Sequence, residues 1–219
     1  MARTPITRTY RFVMAVTTPI VRWWGRLEVR GLEHLPEEGP VLLAGNHDSY
    51  WDPIAVGIAA LPRRQVKALA KSSLWKPGLG RILDGMGQIP IVRGAGDAHA
   101  MDRAIEALRD GACIGVFPEG TRSLGRELRA RSGLGRLHDA VPEARIVCVA
   151  IQGTVDIPRF PKRPNVRVEF FLPEEGPRLP GESAADLGTR LLTQLRARAP
   201  IAQRGRRPGA PPPMPKAPA

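Results

Sequence analysis

Acidic side chains are in short supply: 21 Asp and Glu stand against 33 Lys and Arg in 219 residues, a formal net charge of +12. Such a balance implies an anionic partner and leaves nucleic acid, a membrane surface and a phosphorylated small molecule open. Aromatic residues are also few, at 5%, and no nucleic-acid-binding motif is present, which weighs against a nucleic-acid module. The only cysteines, Cys113 and Cys148, each lie inside an apolar run, so they read as small core residues in a reducing, cytosol-facing protein. No apolar stretch reaches the roughly 20 residues needed to span a bilayer. Residues 12–21 are uncharged between Arg11 and Arg22, like a signal-peptide core. However, Trp23-Trp24-Gly25-Arg26 replaces the small-residue cleavage site, so secretion is not expected. The four histidines (His34, His47, His99, His138) and two cysteines show no metal-ligand spacing. Neither Gly-x-Ser-x-Gly nor a phosphate loop ending in Gly-Lys-Ser/Thr occurs. No metal and no covalent serine intermediate are expected.

What the chain does have is alternation of two periodicities. Segments of strand length fall at residues 40–44, 65–70, 88–92, 113–117 and 145–151, mostly as apolar runs, and at 27–31 and 166–172, where apolar and polar residues alternate. Between them lie helical patterns. One starts at Asp52-Pro53 and runs to Leu61. A second, over 72–86, is interrupted by Pro77, Gly78 and Gly80. A third is capped by Asp97 with Met101, Ala104, Ile105 and Leu108 at helical spacing. The others cover 133–140 and 184–197, the last with Leu187, Leu191, Leu192 and Leu195 on one side. Residues 124–132 are charge-rich and read as a loop, and no internal repeat is found. The expectation is an α/β fold, a single domain over 27–199 with a mixed β-sheet flanked by helices and ligand loops at the strand ends. Beyond Pro200 the chain is mostly Arg, Gly, Pro and Ala, so 200–219 is expected to be a disordered tail.

Residues 1–26 form a separate N-terminal segment. Wound at about 100° per residue, Ile6, Tyr10, Val13, Met14, Ile20, Val21 and Trp24 gather on one side and Arg8, Arg11, Arg22 and Arg26 on the other. No acidic residue relieves the arginine stripe. An amphipathic helix lying in a membrane interface is therefore expected, with its apolar side in the lipid, against the alternative of an ordinary helix packed on the domain. Pro19 is expected to kink or divide it.

The chemistry-bearing residues sit where strands end. In Gly45-Asn46-His47-Asp48-Ser49-Tyr50-Trp51-Asp52-Pro53, His47 and Asp52 are five apart. Positions five apart cannot share a helix face, so the pair works only across the turn from strand to helix. There, the carboxylate can fix one imidazole nitrogen and leave the other to take a proton. Asp52 can equally serve as an N-cap. In Phe117-Pro118-Glu119-Gly120-Thr121-Arg122-Ser123, Gly120 lets backbone approach a ligand. Thr121, Arg122 and Ser123 can donate to phosphate, and Glu119 can orient Arg122 or a substrate hydroxyl. Arg93, entering the turn Gly94-Ala95-Gly96, can grip phosphate or be a solvated surface arginine.

In order, these segments resemble the glycerolipid acyltransferase family that includes bacterial lysophosphatidic acid acyltransferases. The resemblance covers roughly residues 27–175 and rests on four blocks: Asn46-His47 to Asp52-Pro53, Gly87 to Arg93, Phe117 to Ser123, and Ile146 to Thr154. Arg131-Ser132-Gly133 stands where relatives often carry Phe-Lys-x-Gly, and Cys148 where proline is usual. The resemblance implies His47 as catalytic base and Asp52 as its orienting acid, with Arg93, Glu119, Gly120, Thr121 and Arg122 at the acceptor phosphate. It implies transfer of a fatty acyl group from acyl-CoA or acyl carrier protein to the 2-hydroxyl of 1-acyl-sn-glycerol-3-phosphate, giving phosphatidic acid without a cofactor. Another lysophospholipid or glycolipid acceptor is the alternative within that chemistry, and a non-catalytic basic binding module the alternative outside it. A lipid acceptor in turn implies peripheral attachment to an anionic membrane surface, on the cytoplasmic face of the cell membrane.

Overall fold

Successive residues of the strand Val41–Gly45 (β2) serve opposite cores. Val41 and Leu43 join one apolar cluster, while Leu42 and Ala44 join the other. A strand buried on both faces is an uninterrupted apolar run, which is how β2 reads in the sequence. In the computed structural model, which describes residues 4–92, 97–161 and 163–202, β2 is the centre of a seven-stranded sheet. The other strands are Glu28–Arg30 (β1), Val66–Lys71 (β3), Ile89–Ile91 (β4), Cys113–Val116 (β5), Arg145–Gln152 (β6) and Arg167–Phe171 (β7). Their order is β1-β7-β6-β2-β5-β3-β4, parallel throughout except for the β6–β7 pair. All seven expected strands form, and the sheet is mixed as expected. Pro90 is tolerated in β4 because that strand is at the edge, where a missing N–H leaves no ladder bond unmade.

Helices cover both faces. Arg8–Thr18 (α1) and Asp52–Ala60 (α2) close one core; Leu79–Gly85 (α3) sits beside α1. Ala98–Arg109 (α4), Gly133–Ala140 (α5) and Ala184–Arg198 (α6) close the other. Asp97 caps α4 by accepting from Ala100 N–H (3.0 Å), as expected. Gly135 lets α6 approach α5 closely, since a Cβ there would lie 2.3 Å from the Ala184 carbonyl oxygen. The cysteines occupy opposite cores, and burial pushes both thiols up to about 12. They are therefore protonated core residues, as the sequence implies. The expected tail falls almost wholly outside the described residues.

The N-terminal segment corrects one expectation. The apolar side assigned to lipid packs on the protein: Tyr10, Met14 and Val21 are buried in the core, with Ile6 and Val13 against it. Gly57 of α2 makes the seat, because a Cβ there would lie 2.8 Å from the Tyr10 hydroxyl and 2.9 Å from the Met14 sulfur. Thr7 fixes the start of α1, accepting from Tyr10 N–H (3.2 Å) and donating to the Gly85 carbonyl (2.8 Å). After Thr18 the winding widens into a π-helical turn, Pro19–Trp24, with i to i−5 bonds such as Gly25 N–H to Ile20 O (2.9 Å). Pro19 thus changes the winding of the helix without ending it. The apolar side chains left facing outward share only Ile20 with the expected set: Phe12 (69% exposed), Val16, Ile20 and Trp23 (70%).

Candidate active site

The register of the sheet brings the two chemistry-bearing loops together. Ala44 pairs with Val116, so His47 and Glu119, each three residues further on, leave the sheet at one level although 72 positions apart. Asn46 extends the pairing beyond the end of β2. Its buried side-chain amide accepts from Ile151 N–H (2.8 Å) and donates to Ile151 O (2.9 Å), in place of a backbone partner on β6. Gly45 leaves room for the Phe117 ring, which would be 3.2 Å from a Cβ there. Phe117 in turn stacks on His47, with centroids 4.3 Å apart and planes 18° apart.

His47 and Asp52 meet across the turn as expected, with Nδ1 to Oδ2 at 2.9 Å and both side chains buried. The expected N-cap role of Asp52 is not what forms. Trp51 occupies the cap without a side-chain bond, and the Asp52 carboxylate reaches back into the loop. Its Oδ2 accepts from the backbone N–H groups of Asp48 and Ser49, both at 2.7 Å, while Oδ1 accepts from the Thr154 hydroxyl. With two backbone N–H groups and a hydroxyl donating to it, the Asp52 carboxylate accepts from the ring as well, so Nδ1 carries the proton toward it. Nε2 is left as the basic nitrogen, and among the described residues it has no hydrogen-bond partner.

The second loop brackets the His47 backbone. Glu119 Oε2 accepts from His47 N–H (2.7 Å), and Ser123 N–H donates to His47 O (2.8 Å). These bonds correct two expectations. Ser123 is fully buried and donates its hydroxyl to Asp48, so it is turned away from any ligand. Glu119 is also buried and is paired with Arg196 of α6, not with Arg122. Burial pushes the Glu119 carboxyl above the usual carboxylate range, and the Arg196 charge pulls it back.

Arg122 and Thr121 remain available. The Arg122 guanidinium lies over the exposed Tyr50 ring, 3.6 Å from its centroid, which holds the charge beside the His47–Asp52 turn without neutralising it. Gly120 takes φ 68°, and a Cβ there would press on Arg131 Cγ at 3.2 Å. Next to this loop opens a cleft of about 310 Å³, floored by Leu69, Val116 and Leu134 with Arg131 and Arg136 among its lining. Arg93 lies outside the described residues. Among those residues there is no group of three metal-ligating side chains, and no helix is long and apolar enough to cross a membrane. Sequence reasoning quoted Asn46, Asp48 and Thr154 without giving them a part, and missed Arg196 altogether. Apart from a long Asn46–Asp48 contact (3.4 Å) and the Arg196 bond to Ala199 O, the partners that tie these side chains into the site are more than 70 positions away, and no local signal marks them.

Structurally, the chain is of the class of α/β proteins that present an aspartate-oriented histidine at the strand ends, an arrangement that can accept a proton. Within it, residues 26–155 match the family described as Acyltransferase, and the chain belongs to that family. The 1-acyl-sn-glycerol-3-phosphate acyltransferase of Borreliella burgdorferi is 37% identical over 108 residues, covering 48% of this chain and 42% of that one. A lyso-ornithine lipid O-acyltransferase of Pseudomonas aeruginosa is 33% identical over 126 residues, covering 52% and 46%. The chain spans about half the length of the curated relatives it matches. The crystal structure of the 1-acyl-sn-glycerophosphate acyltransferase PlsC of Thermotoga maritima shares the fold. Its TM-score is 0.58 at 21% identity, over 86% of this chain and 82% of that one.

Proposed function

We propose that the protein transfers a fatty acyl group from a thioester of coenzyme A or acyl carrier protein to the 2-hydroxyl of 1-acyl-sn-glycerol-3-phosphate. The observation that carries this is the buried His47–Asp52 pair at 2.9 Å, its Nε2 free among the described residues, beside Arg122, which no carboxylate among those residues neutralises. Nε2 takes the hydroxyl proton as the oxygen attacks the thioester carbonyl, and Asp52 stabilises the imidazolium. Collapse of the tetrahedral intermediate expels the thiolate, which takes the proton from His47. A thiol pKa of about 8.5 makes it a good leaving group, so no acyl-enzyme is needed. No step calls for a metal or cofactor.

The acceptor phosphate falls to Arg122, with Thr121 and the Gly120 backbone beside it. The Arg122→Ala variant is expected to raise the acceptor KM roughly 10- to 100-fold, the worth of one charged hydrogen-bonding group, with a smaller change in kcat. An unchanged KM and rate would remove Arg122 from that part. A lysolipid without a phosphate monoester is the second reading, motivated by the similarity to a lyso-ornithine lipid acyltransferase. A panel of lysolipids offered with one acyl thioester, followed by thiol release, separates the two. Fastest release with the phosphate monoester supports the first, and indifference to it defeats it.

Lipid acceptors stay in the bilayer, so the protein works as a peripheral enzyme on an anionic membrane surface. The outward set Phe12, Val16, Ile20 and Trp23 replaces the expected face as the contact. Exposed Arg8, Arg11, Arg22 and Arg26 on the same segment supply the charge. Phe160, 83% exposed, extends this surface. Its loop is tied to the π-helical turn by the Trp24–Phe160 stack (5.7 Å) and by Arg163 donating to Trp23 O (2.5 Å). Trp24 also donates to Ile157 O (3.1 Å), three residues after the Thr154 that holds Asp52, so this surface lies at the site's end of the sheet. Replacing Trp23 and Phe160 together by Ala is expected to cut partition to anionic vesicles by roughly tenfold or more, from two lost aromatic anchors. Unaltered co-sedimentation would place the contact elsewhere.

A further inference from the structure

We infer that Arg196, in the last turn of α6 and 41 residues beyond the stretch that matches the family, is a positioning residue of this site, its single guanidinium holding the two carboxylates Asp48 and Glu119 in a buried triad that fixes His47. Helical spacing delivers it: Arg196 lies four residues after Leu192, on the side of α6 that faces the protein. Its side chain is 14% exposed and its partners less. Nη1 and Nη2 each donate to an Asp48 oxygen at 2.9 Å. Nη2 and Nε donate to Glu119 Oε1 at 2.5 and 3.2 Å, and Nη1 also to Ala199 O at 3.3 Å.

A guanidinium has five N–H groups, and all five are engaged. None is left for a phosphate, which separates Arg196 from Arg122. Its effect passes through the two carboxylates instead. Glu119 holds His47 N–H, while Asp48 holds the Ser123 hydroxyl, whose backbone N–H holds His47 O. Without Arg196, two buried carboxylates would share the site with no counter-charge. One of them would take up a proton at a higher pH, and an anionic acceptor would be repelled. Glu119, already raised by burial with Arg196 as its counterweight, is the group that responds.

The test uses the full chain carrying Arg196→Gln, Arg196→Lys, or Arg196→Gln with Asp48→Asn. Readouts are thermal midpoint, kcat and KM against pH, and the carbon-13 titration of the Glu119 carboxyl, assigned by Glu119→Gln. Arg196→Gln is expected to lower kcat on the order of 100-fold, as for misplacement by about an ångström. The acid limb of kcat/KM should move to higher pH. The double variant removes one buried carboxylate with the guanidinium and should bring the limb back. Arg196→Lys keeps the charge but not the fork, so the limb should stay while kcat falls. A limb unmoved by Arg196→Gln, or a double variant no closer to the wild-type limb than the single, would reduce Arg196 to a helix anchor. If Arg196→Gln does not fold, Arg196→Lys decides, and an undiminished kcat overturns the inference. The activity readouts rest on the proposed transfer reaction. If the wild-type chain releases no thiol with any acceptor, that reaction fails, and the Glu119 titration decides alone. An upward move in Arg196→Gln supports the triad, and no move overturns it.

Discussion

The His47→Ala variant is expected to lose acyl transfer by about 100- to 10,000-fold in kcat while remaining folded and bound to anionic vesicles, the span attributed to a positioned general base. The surroundings of His47 say why the loss should be chemical and not structural. Among the described residues its imidazole makes one side-chain hydrogen bond, to Asp52, and one ring stack, on Phe117. Deleting it leaves Asp52 with the Asp48 and Ser49 N–H groups and the Thr154 hydroxyl, so no buried charge is stranded. The bonds to Glu119 and Ser123 run through the His47 backbone and survive the substitution. About 1–2 kcal/mol of stability is the expected cost, from one hydrogen bond and one aromatic contact. The proposed membrane surface, on α1, the π-helical turn and the Phe160 loop, is untouched. Thiol release with acceptor-bearing vesicles, run beside co-sedimentation and thermal unfolding, checks all three parts. Near-normal turnover would remove His47 from the reaction.

The centre of the sheet was legible because β2, β5 and β6 are buried on both faces, and such strands announce themselves as short apolar runs between turns, while β1 and β7 showed by alternation. Helices α4 and α5 were legible for a similar reason, each carrying an apolar stripe of a single phase. The N-terminal segment was harder. It has two apolar stripes, Tyr10 with Met14 and Phe12 with Val16, and periodicity alone does not say which one meets the core. The π-helical winding after Thr18 then changes the phase, so Ile20 and Trp24, assigned to one face at about 100° per residue, part company with Tyr10 and Met14. In the site, the five-residue spacing of His47 and Asp52 pointed to the pair because their contact is local. The bracing was silent. Asp48, Thr154 and Arg196 carry no local mark, and Ser123 reads as a phosphate donor, until the register of β2 on β5 and the docking of α6 bring them together. Asp52 shows the limit most clearly, since an aspartate before a proline at a helix start has the signature of a cap, and only the fold turns its carboxylate the other way.

That reversal makes Asp52→Asn the sharpest separation of bracing from chemistry. The four groups that bond the Asp52 side chain divide unequally: three N–H donors converge on Oδ2, while Oδ1 meets a hydroxyl. An asparagine can match this only with its oxygen in the Oδ2 place and its NH2 toward Thr154, whose hydroxyl can reverse and accept. The loop should therefore hold its shape at a cost of about 1–3 kcal/mol, the range for a weakened buried polar site. What the substitution removes is the charge. Nothing then compensates the imidazolium that forms as the acceptor hydroxyl is deprotonated, and the Nδ1–H tautomer loses its preference. A fall in kcat of roughly 1,000- to 10,000-fold is expected, by the logic of an aspartate-oriented histidine base. The acceptor KM should hold, because Arg122 and Thr121 are untouched. Asp52→Ala should instead unfold more readily, by about 3–5 kcal/mol, since it strands the Asp48 and Ser49 N–H groups with no acceptor. If Asp52→Asn keeps more than a tenth of the wild-type turnover while losing stability, the carboxylate is a loop brace and His47 has no electrostatic partner. The retained shape of the asparagine variant is what lets kinetics and unfolding be read as separate answers.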